Sequence, residues 1–293
     1  MIAVRTFALC LALALLLLAA GCTQSPGRDS FNVDGDGRLS VALAPDARVN
    51  ATVLNTTGNA TLSRVVFTAD DGVPVAAYLA APSNPRAAIV YVPGANEPVS
   101  GHAARFGTFA DAGIAFLYLD VRGNGFETPG DRLDLNADYV RFKQDQWPQY
   151  YRVVADVMRA RAYLAKTYGV PVWAVGSSNG GRYAAVAAGI DPQFAGYAGV
   201  STSGLGGIQP GNRQTAQRFE VSVDPATYIG AISPRQVLIY HSQADKVVPF
   251  AQGQALFAAA KEPKTFVQFN GSHGINPAVD ADLVGRLTQI YGR

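Results

Sequence analysis

The chain has 293 residues, and because α/β folds of about 250 residues commonly form one unit, a single large domain behind a leader is the leading reading. Hydrophobic residues make up 48% and charged residues 16%, enough apolar surface for a sizeable core, which excludes a wholly disordered chain. With 24 Lys+Arg against 22 Asp+Glu the formal charge is only +2, which leaves no electrostatic footprint for nucleic acid, and both cysteines, Cys10 and Cys22, precede the folded body, which excludes cysteine chemistry there.

In chain order, an apolar run from Phe7 to Ala20 follows Arg5, the size of a signal-peptide core and shorter than the roughly 20 residues of a membrane-crossing helix. The run ends Leu18-Ala19-Ala20-Gly21-Cys22, which resembles the lipobox of prokaryotic lipoproteins, with Ala19 where Leu is commoner. That resemblance implies removal of residues 1–21, lipidation of Cys22 and export to the outer side of the cell membrane. An ordinary cleaved signal and an uncleaved anchor are the other readings. Residues 22–37 read as the lipid-attachment cysteine and a tether, and residues 38–293 as one domain. Within the tether, Asn32-Val-Asp34-Gly-Asp36-Gly37 resembles the start of a calcium loop, but Leu43 stands where the twelfth-position carboxylate belongs, so a plain acidic turn is the favoured reading. Asn50, Asn55, Asn59 and Asn270 begin glycosylation sequons, which matter only in an organism that glycosylates exported proteins.

From Arg38 to Tyr78 the text is strand-like, with Asp71-Gly72 and similar turn formers between apolar stretches, and predicts leading antiparallel strands. Short continuous apolar runs then begin at Ala88, Ala115, Val172, Tyr197, Val237 and Phe266. Runs of this kind suit a mostly parallel, twisted sheet with helices on both faces. Helices are expected over 102–112, 148–168, 179–189, 249–261 and 279–291, and long loops over 126–147 and 202–235. Such a sheet places its ligand sites at the carboxyl ends of its strands, so the residues just after these runs matter most.

Directly after the run at Val172 stands Gly176-Ser177-Ser178-Asn179-Gly180, followed by an alanine-rich helical stretch. This strand–turn–helix setting of Gly-x-Ser-x-Gly marks Ser178 as the candidate nucleophile. Its base must come from His102, His241 or His273, the three histidines of the chain. His273 lies between the last strand and the last helix, and Asp245 follows the run at Val237, giving the order Ser178, Asp245, His273. His102 reads as a helix-start surface residue and His241 as structural. Asp120 and Arg122 read as a loop-fixing ion pair. Phe126, Tyr139, Phe142, Trp147, Tyr150 and Tyr151 fit either helix packing or a small lid over an apolar acyl group.

On these motifs the chain resembles the α/β-hydrolases over roughly residues 65–293, nearest in texture to the dienelactone hydrolase and prolyl-oligopeptidase-like branches. Val92-Pro93-Gly94-Ala95 resembles the family's oxyanion loop, although Pro93-Gly94 stands where His-Gly is more usual, and Asp120-Val-Arg122-Gly123-Asn-Gly125 resembles a family turn. The resemblance implies an α/β-hydrolase fold, a catalytic set of Ser178, Asp245 and His273, and an oxyanion hole built from the amides of Ala95 and Asn179. It implies no cofactor and no metal. The expected reaction is acyl transfer on a small-molecule substrate, with carboxylic-ester hydrolysis first. A small exopeptidase-like hydrolase and a non-catalytic binding protein of the same fold are the alternatives. A lipid anchor at Cys22 makes the membrane the one expected macroscopic partner.

Overall fold

Strand and helix boundaries follow the apolar runs closely. The computed structural model describes residues 27–45, 48–206 and 214–292, so the leader and Cys22 lie outside the described residues. The strands are β1 (Ser30–Val33), β2 (Leu39–Ala42), β3 (Arg48–Thr57), β4 (Ala60–Thr68), β5 (Pro74–Pro82), β6 (Ala87–Val92), β7 (Ile114–Leu119), β8 (Val172–Ser177), β9 (Gly196–Val200), β10 (Gln236–His241) and β11 (Lys264–Gln268). The helices are α1 (Ala103–Asp111), α2 (Leu135–Lys143), α3 (Gln149–Tyr168), α4 (Asn179–Ile190), α5 (Gln214–Val223), α6 (Pro225–Tyr228), α7 (Phe250–Ala259) and α8 (Pro277–Tyr291).

Nine strands form one sheet in the order β11-β10-β9-β8-β6-β7-β5-β4-β3. The six strands from β6 to β11 run parallel, and β3, β4 and β5 extend the sheet antiparallel beyond β7. Alternation along each parallel strand feeds two cores. In β6, Ala88, Val90 and Val92 join one apolar cluster with α3 and α4, while Ile89 and Tyr91 join the other with Phe106 and Phe109 of α1 and Leu283 and Leu287 of α8. Every residue of β6, β7, β8 and β9 is buried, which is why their sequences read as unbroken apolar runs.

Two features depart from the sequence reading. Residues 30–33 form β1, which pairs with β2 and packs Phe31 edge-on to Trp147 at 4.9 Å, so ordered structure begins before Arg38. The stretches expected to be loops contain α2, α5 and α6. Local capping explains the first of these: the Asp134 side chain accepts the amides of Asn136 at 2.8 Å and Ala137 at 3.2 Å, which starts a helix of weak amphipathic pattern. The acidic segment 32–37 ends β1 and forms the β1–β2 turn from Asp34 onward, with Asp34 Oδ1 accepting the amides of Asp36 and Arg38. Among the described residues no helix is long and apolar enough to cross a membrane.

Candidate active site

Gly176 and Gly180 let β8 run straight into α4 with no room to spare. A Cβ on Gly176 would stand 2.4 Å from the Gly180 carbonyl oxygen, and one on Gly180 would stand 2.0 Å from that of Val92, so only glycine permits this approach of turn, helix and β6. Between them Ser178 takes φ 53 and ψ −123, a conformation that L-residues rarely adopt. The turn is tied down on both sides: the Ser178 amide donates to the Val200 carbonyl at 2.9 Å, and the Thr202 hydroxyl donates to the Ser178 carbonyl at 2.8 Å.

The loops after β6, β8, β9, β10 and β11, which are consecutive neighbours in the sheet, supply Ala95, Ser178, Ser201, Asp245 and His273 in that order. His273 Nδ1 lies 2.9 Å from Oδ2 and 3.0 Å from Oδ1 of Asp245, so this nitrogen donates to the carboxylate, an arrangement that in a neutral ring places the lone pair on Nε2. Asp245 is buried and accepts the amides of Val247 and Val248 at 2.9 Å each. Burial alone would raise its pKa, but these amides, His273 and the Ser201 hydroxyl outweigh it and hold the carboxyl below its ordinary range. Ser201 is a site residue that sequence reasoning missed. Its backbone takes φ 49, rare for a non-glycine, and its hydroxyl oxygen accepts the Gly274 amide at 3.0 Å, tying the β9 loop to the residue after His273.

Among the hydrogen bonds of the described residues none joins Ser178 to His273 directly, and such contacts often tighten only when substrate binds. Ala95 and Asn179 line one cavity of about 220 Å³ together with Asn96, Asn124 and Arg132, and the Asn124 side chain donates to the Gly94 carbonyl at 3.0 Å, fixing the loop behind Ala95.

A family model described as serine aminopeptidase, S33, matches residues 83–223, a span that includes Ala95 and Ser178 and stops before Asp245. The uncharacterized protein YfhR of Salmonella typhi is 27% identical over 248 residues, covering 78% of this chain and 77% of its own. Among solved structures, acetyl xylan esterase from Paenibacillus sp. R4 superposes with a TM-score of 0.65 at 18% identity, covering 84% of this chain and 88% of that one. Acetyl xylan esterase 1 from Thermoanaerobacterium sp. JW/SL YS485 gives 0.62 at 14%, covering 84% and 87%. A glucuronoyl esterase from Solibacter usitatus gives 0.60 at 14%, covering 83% and 86%. The chain has the α/β-hydrolase fold.

Within this α/β-hydrolase fold the remaining sequence expectations fall out differently. His102 is buried, not on the surface; it lies 5.1 Å from the Tyr91 ring and its ring nitrogen bonds Arg105. His241 is fully buried and does more than fill space: its Nε2–H donates to the Val248 carbonyl at 2.9 Å, bracing the loop whose amides hold Asp245. Asp120 and Arg122 do not pair. Asp120 accepts the amides of Glu127 and Thr128, while Arg122 binds Asp71 at 2.7 Å and Asp156 of α3, because the chain turns between them and sends the two side chains to different partners. Of the aromatics, Tyr150 and Tyr151 belong to the core, Tyr139 and Phe142 lie against Phe219 of α5, and Phe126 is exposed. Tyr139 and Phe219 also border an apolar cavity of about 450 Å³ with Leu135, Leu205 and Val223. Among the described residues no group of three or more His, Cys, Asp or Glu side chains has metal-binding geometry.

Proposed function

We propose that this protein is a serine hydrolase that cleaves carboxylic esters through an acyl-enzyme formed on Ser178. The observation that carries the reading is the hydrogen-bonded pair of Asp245 and His273 at the same sheet edge as a serine in a strained strand-to-helix turn. In the first step Ser178 Oγ attacks the ester carbonyl carbon while its proton passes to Nε2 of His273. The carbonyl oxygen becomes an oxyanion received by the amides of Ala95 and Asn179, each donor contributing about 3–4 kcal/mol by comparison with enzymes that lose one. As the tetrahedral intermediate collapses, the imidazolium returns the proton to the departing alcohol and leaves an acyl-Ser178. Water then repeats the sequence with His273 as base, releasing the carboxylic acid and restoring the serine. Asp245 holds the imidazole in the Nδ1–H tautomer and balances its transient charge.

Ester preference is supported by the names of the structural neighbours, acetyl xylan and glucuronoyl esterases. Peptide cleavage is the second reading, favoured by the aminopeptidase description of the matched family model. A non-catalytic binding role would give no reason to keep Ser178, Asp245 and His273 together. We further propose that residues 38–293, joined by the β1 strand Ser30–Val33 that pairs with β2, form one catalytic domain taking a small-molecule acyl substrate, carried on the outer side of the cell membrane by a lipid on Cys22. The test is covalent labelling of the purified protein with a fluorophosphonate, followed by turnover of ester and aminoacyl arylamide panels. Labelling at Ser178 that vanishes in Ser178→Ala, with ester turnover above amide turnover, is expected. Label on Ser177, Ser201 or Ser203 would overturn the assignment.

A further inference from the structure

Glu97 stands two residues beyond Ala95 in the loop after β6, and no step of ester cleavage requires a carboxylate there. Its side chain nevertheless sits against the centre of the site. The Ser177 hydroxyl donates to Oε1 at 3.1 Å and the Tyr91 hydroxyl to Oε2 at 3.1 Å, while the Tyr118 hydroxyl donates to the Glu97 carbonyl. A Cβ on Gly94 would lie 2.8 Å from Oε1 and 3.1 Å from Cβ of Ser178; one on Gly274 would lie 3.7 Å from Oε1. One carboxylate thus lies against the oxyanion loop, the elbow and the residue that follows His273.

Behind Glu97 the polar chain continues inward. His102 Nε2 is 3.6 Å from Oε2, Arg105 bonds the other ring nitrogen of His102, and Arg105 Nε pairs with Asp280 of α8 at 2.7 Å. Tyr91, His102, Arg105 and Asp280 are all buried, so the arrangement is fixed by packing as well as by hydrogen bonds. Because α8 begins just after the His273 loop, the chain reaches from the oxyanion loop to the support of the base.

Charge alone cannot be the purpose of this carboxylate. An anion beside a developing oxyanion repels it, and Glu97 is compatible with the reaction only because hydroxyl donors occupy both oxygens. Nor is it placed as a base, since no bond joins it to His273. What it can do is mechanical. The loop bearing Ala95 lies between β6 and α1, Asn124 ties it down only on the Gly94 side, and Asn96 takes φ 60, so a tie on the far side of Ala95 is what keeps its amide in register with that of Asn179. A misplacement of about 1 Å can cost on the order of 100-fold in rate.

Building on the ester-hydrolase reading, we propose that Glu97 is the positioning residue of the oxyanion hole, its carboxylate clasped by Ser177 and Tyr91 so that the Ala95 loop is locked to the elbow that carries Ser178 and Asn179. The test compares an oxygen ester with the matching thionoester, whose sulfur is a poor hydrogen-bond acceptor, so the ratio of the two turnovers reports how well the hole is formed. In Glu97→Ala, kcat on the oxygen ester should fall about 100-fold with KM within about threefold, and the oxygen-to-sulfur ratio should collapse toward one. Glu97→Gln keeps an acceptor for one hydroxyl and should recover at least about tenfold of that loss. Equal losses on both esters, or unchanged kcat, would overturn the proposal. If circular dichroism shows Glu97→Ala unfolded, Ser177→Ala decides: a lowered ratio supports the clasp, and an unchanged ratio and kcat overturn it. A wild-type protein that neither labels with fluorophosphonate nor hydrolyses esters would bring down the underlying reading as well, whereas labelled wild type with indifferent Glu97 variants would bring down this proposal alone.

Discussion

One methyl group at Gly180 would decide whether three segments can meet. With 2.0 Å available to the Val92 carbonyl and 2.4 Å to that of Pro93, Gly180→Ala must push β6 and its loop away from the elbow. Activity should fall at least about 100-fold with a clear loss of thermal stability, whereas Gly285→Ala on α8, where a Cβ meets nothing within 4 Å, should leave both in place. At Asp245 the expected change is chemical. Asp245→Asn should keep the fold and lower kcat about 10⁴-fold, because the imidazole loses its tautomer lock, and steady-state kinetics beside a melting curve will separate the two effects. His102 makes a prediction about pH. Burial first, and then Arg105, push its pKa down to about 4. The unfolded chain takes up the proton below about pH 6.5 while the folded protein resists until about 4, so stability contributed by neutral His102 is complete above 6.5 and declines by up to about 3 kcal/mol as pH falls through that window. Urea unfolding across pH 4 to 7 should show the slope, and His102→Gln should remove its share.

At the scale of elements, the nine-stranded sheet is braced where its antiparallel part meets its parallel part. Arg122, in the loop after β7, binds Asp71 in the β4–β5 turn and Asp156 on α3, and Arg159 on the same helix bonds Asp156 in turn. Burial pushes the Asp156 pKa up and the arginines only partly offset it, so removing Arg122 leaves this one buried carboxylate with only the longer contact to Arg159. Arg122→Ala should lower unfolding stability by about 3–5 kcal/mol, measured by denaturant midpoint, while Arg86→Ala at the surface should cost little. The same network shows what a sequence displays and what it hides. Runs such as Val172-Trp-Ala-Val betray a strand because every residue is buried, and Gly-x-Ser-x-Gly betrays the elbow because sterics allow little else. The α8 helix is legible from Pro277 and its apolar spacing. Partners 34 or 80 residues apart, such as Arg122 with Asp156 or Ser177 with Glu97, leave no local mark, so Asp120 is an easy but wrong neighbour to assign to Arg122. Ser201 and Glu97 were invisible for that reason, and α2 because its helix depends on the Asp134 cap and contact with α5.

For the molecule as a whole, the first described residues bear on the proposed anchoring. Asp29 is held by two bonds, to the Ala44 amide at 2.8 Å and to Arg159 on α3. Only six residues separate it from Cys22, so a lipid on that cysteine would keep the domain within about 25 Å of the bilayer. Cys22→Ser should release the protein from membranes without altering turnover by a form beginning near Asp29, which fractionation and mass spectrometry of the N-terminus will check. The pinning of Asp29 also determines how the molecule would respond to a pull. Tension on the N-terminus reaches Asp29 first and then the β1–β2 hairpin, a two-stranded sheet separate from the nine-stranded one. The hairpin would peel away strand by strand while the large sheet still bears no load, acting as a fuse between a tugged membrane and the loops that carry the chemistry.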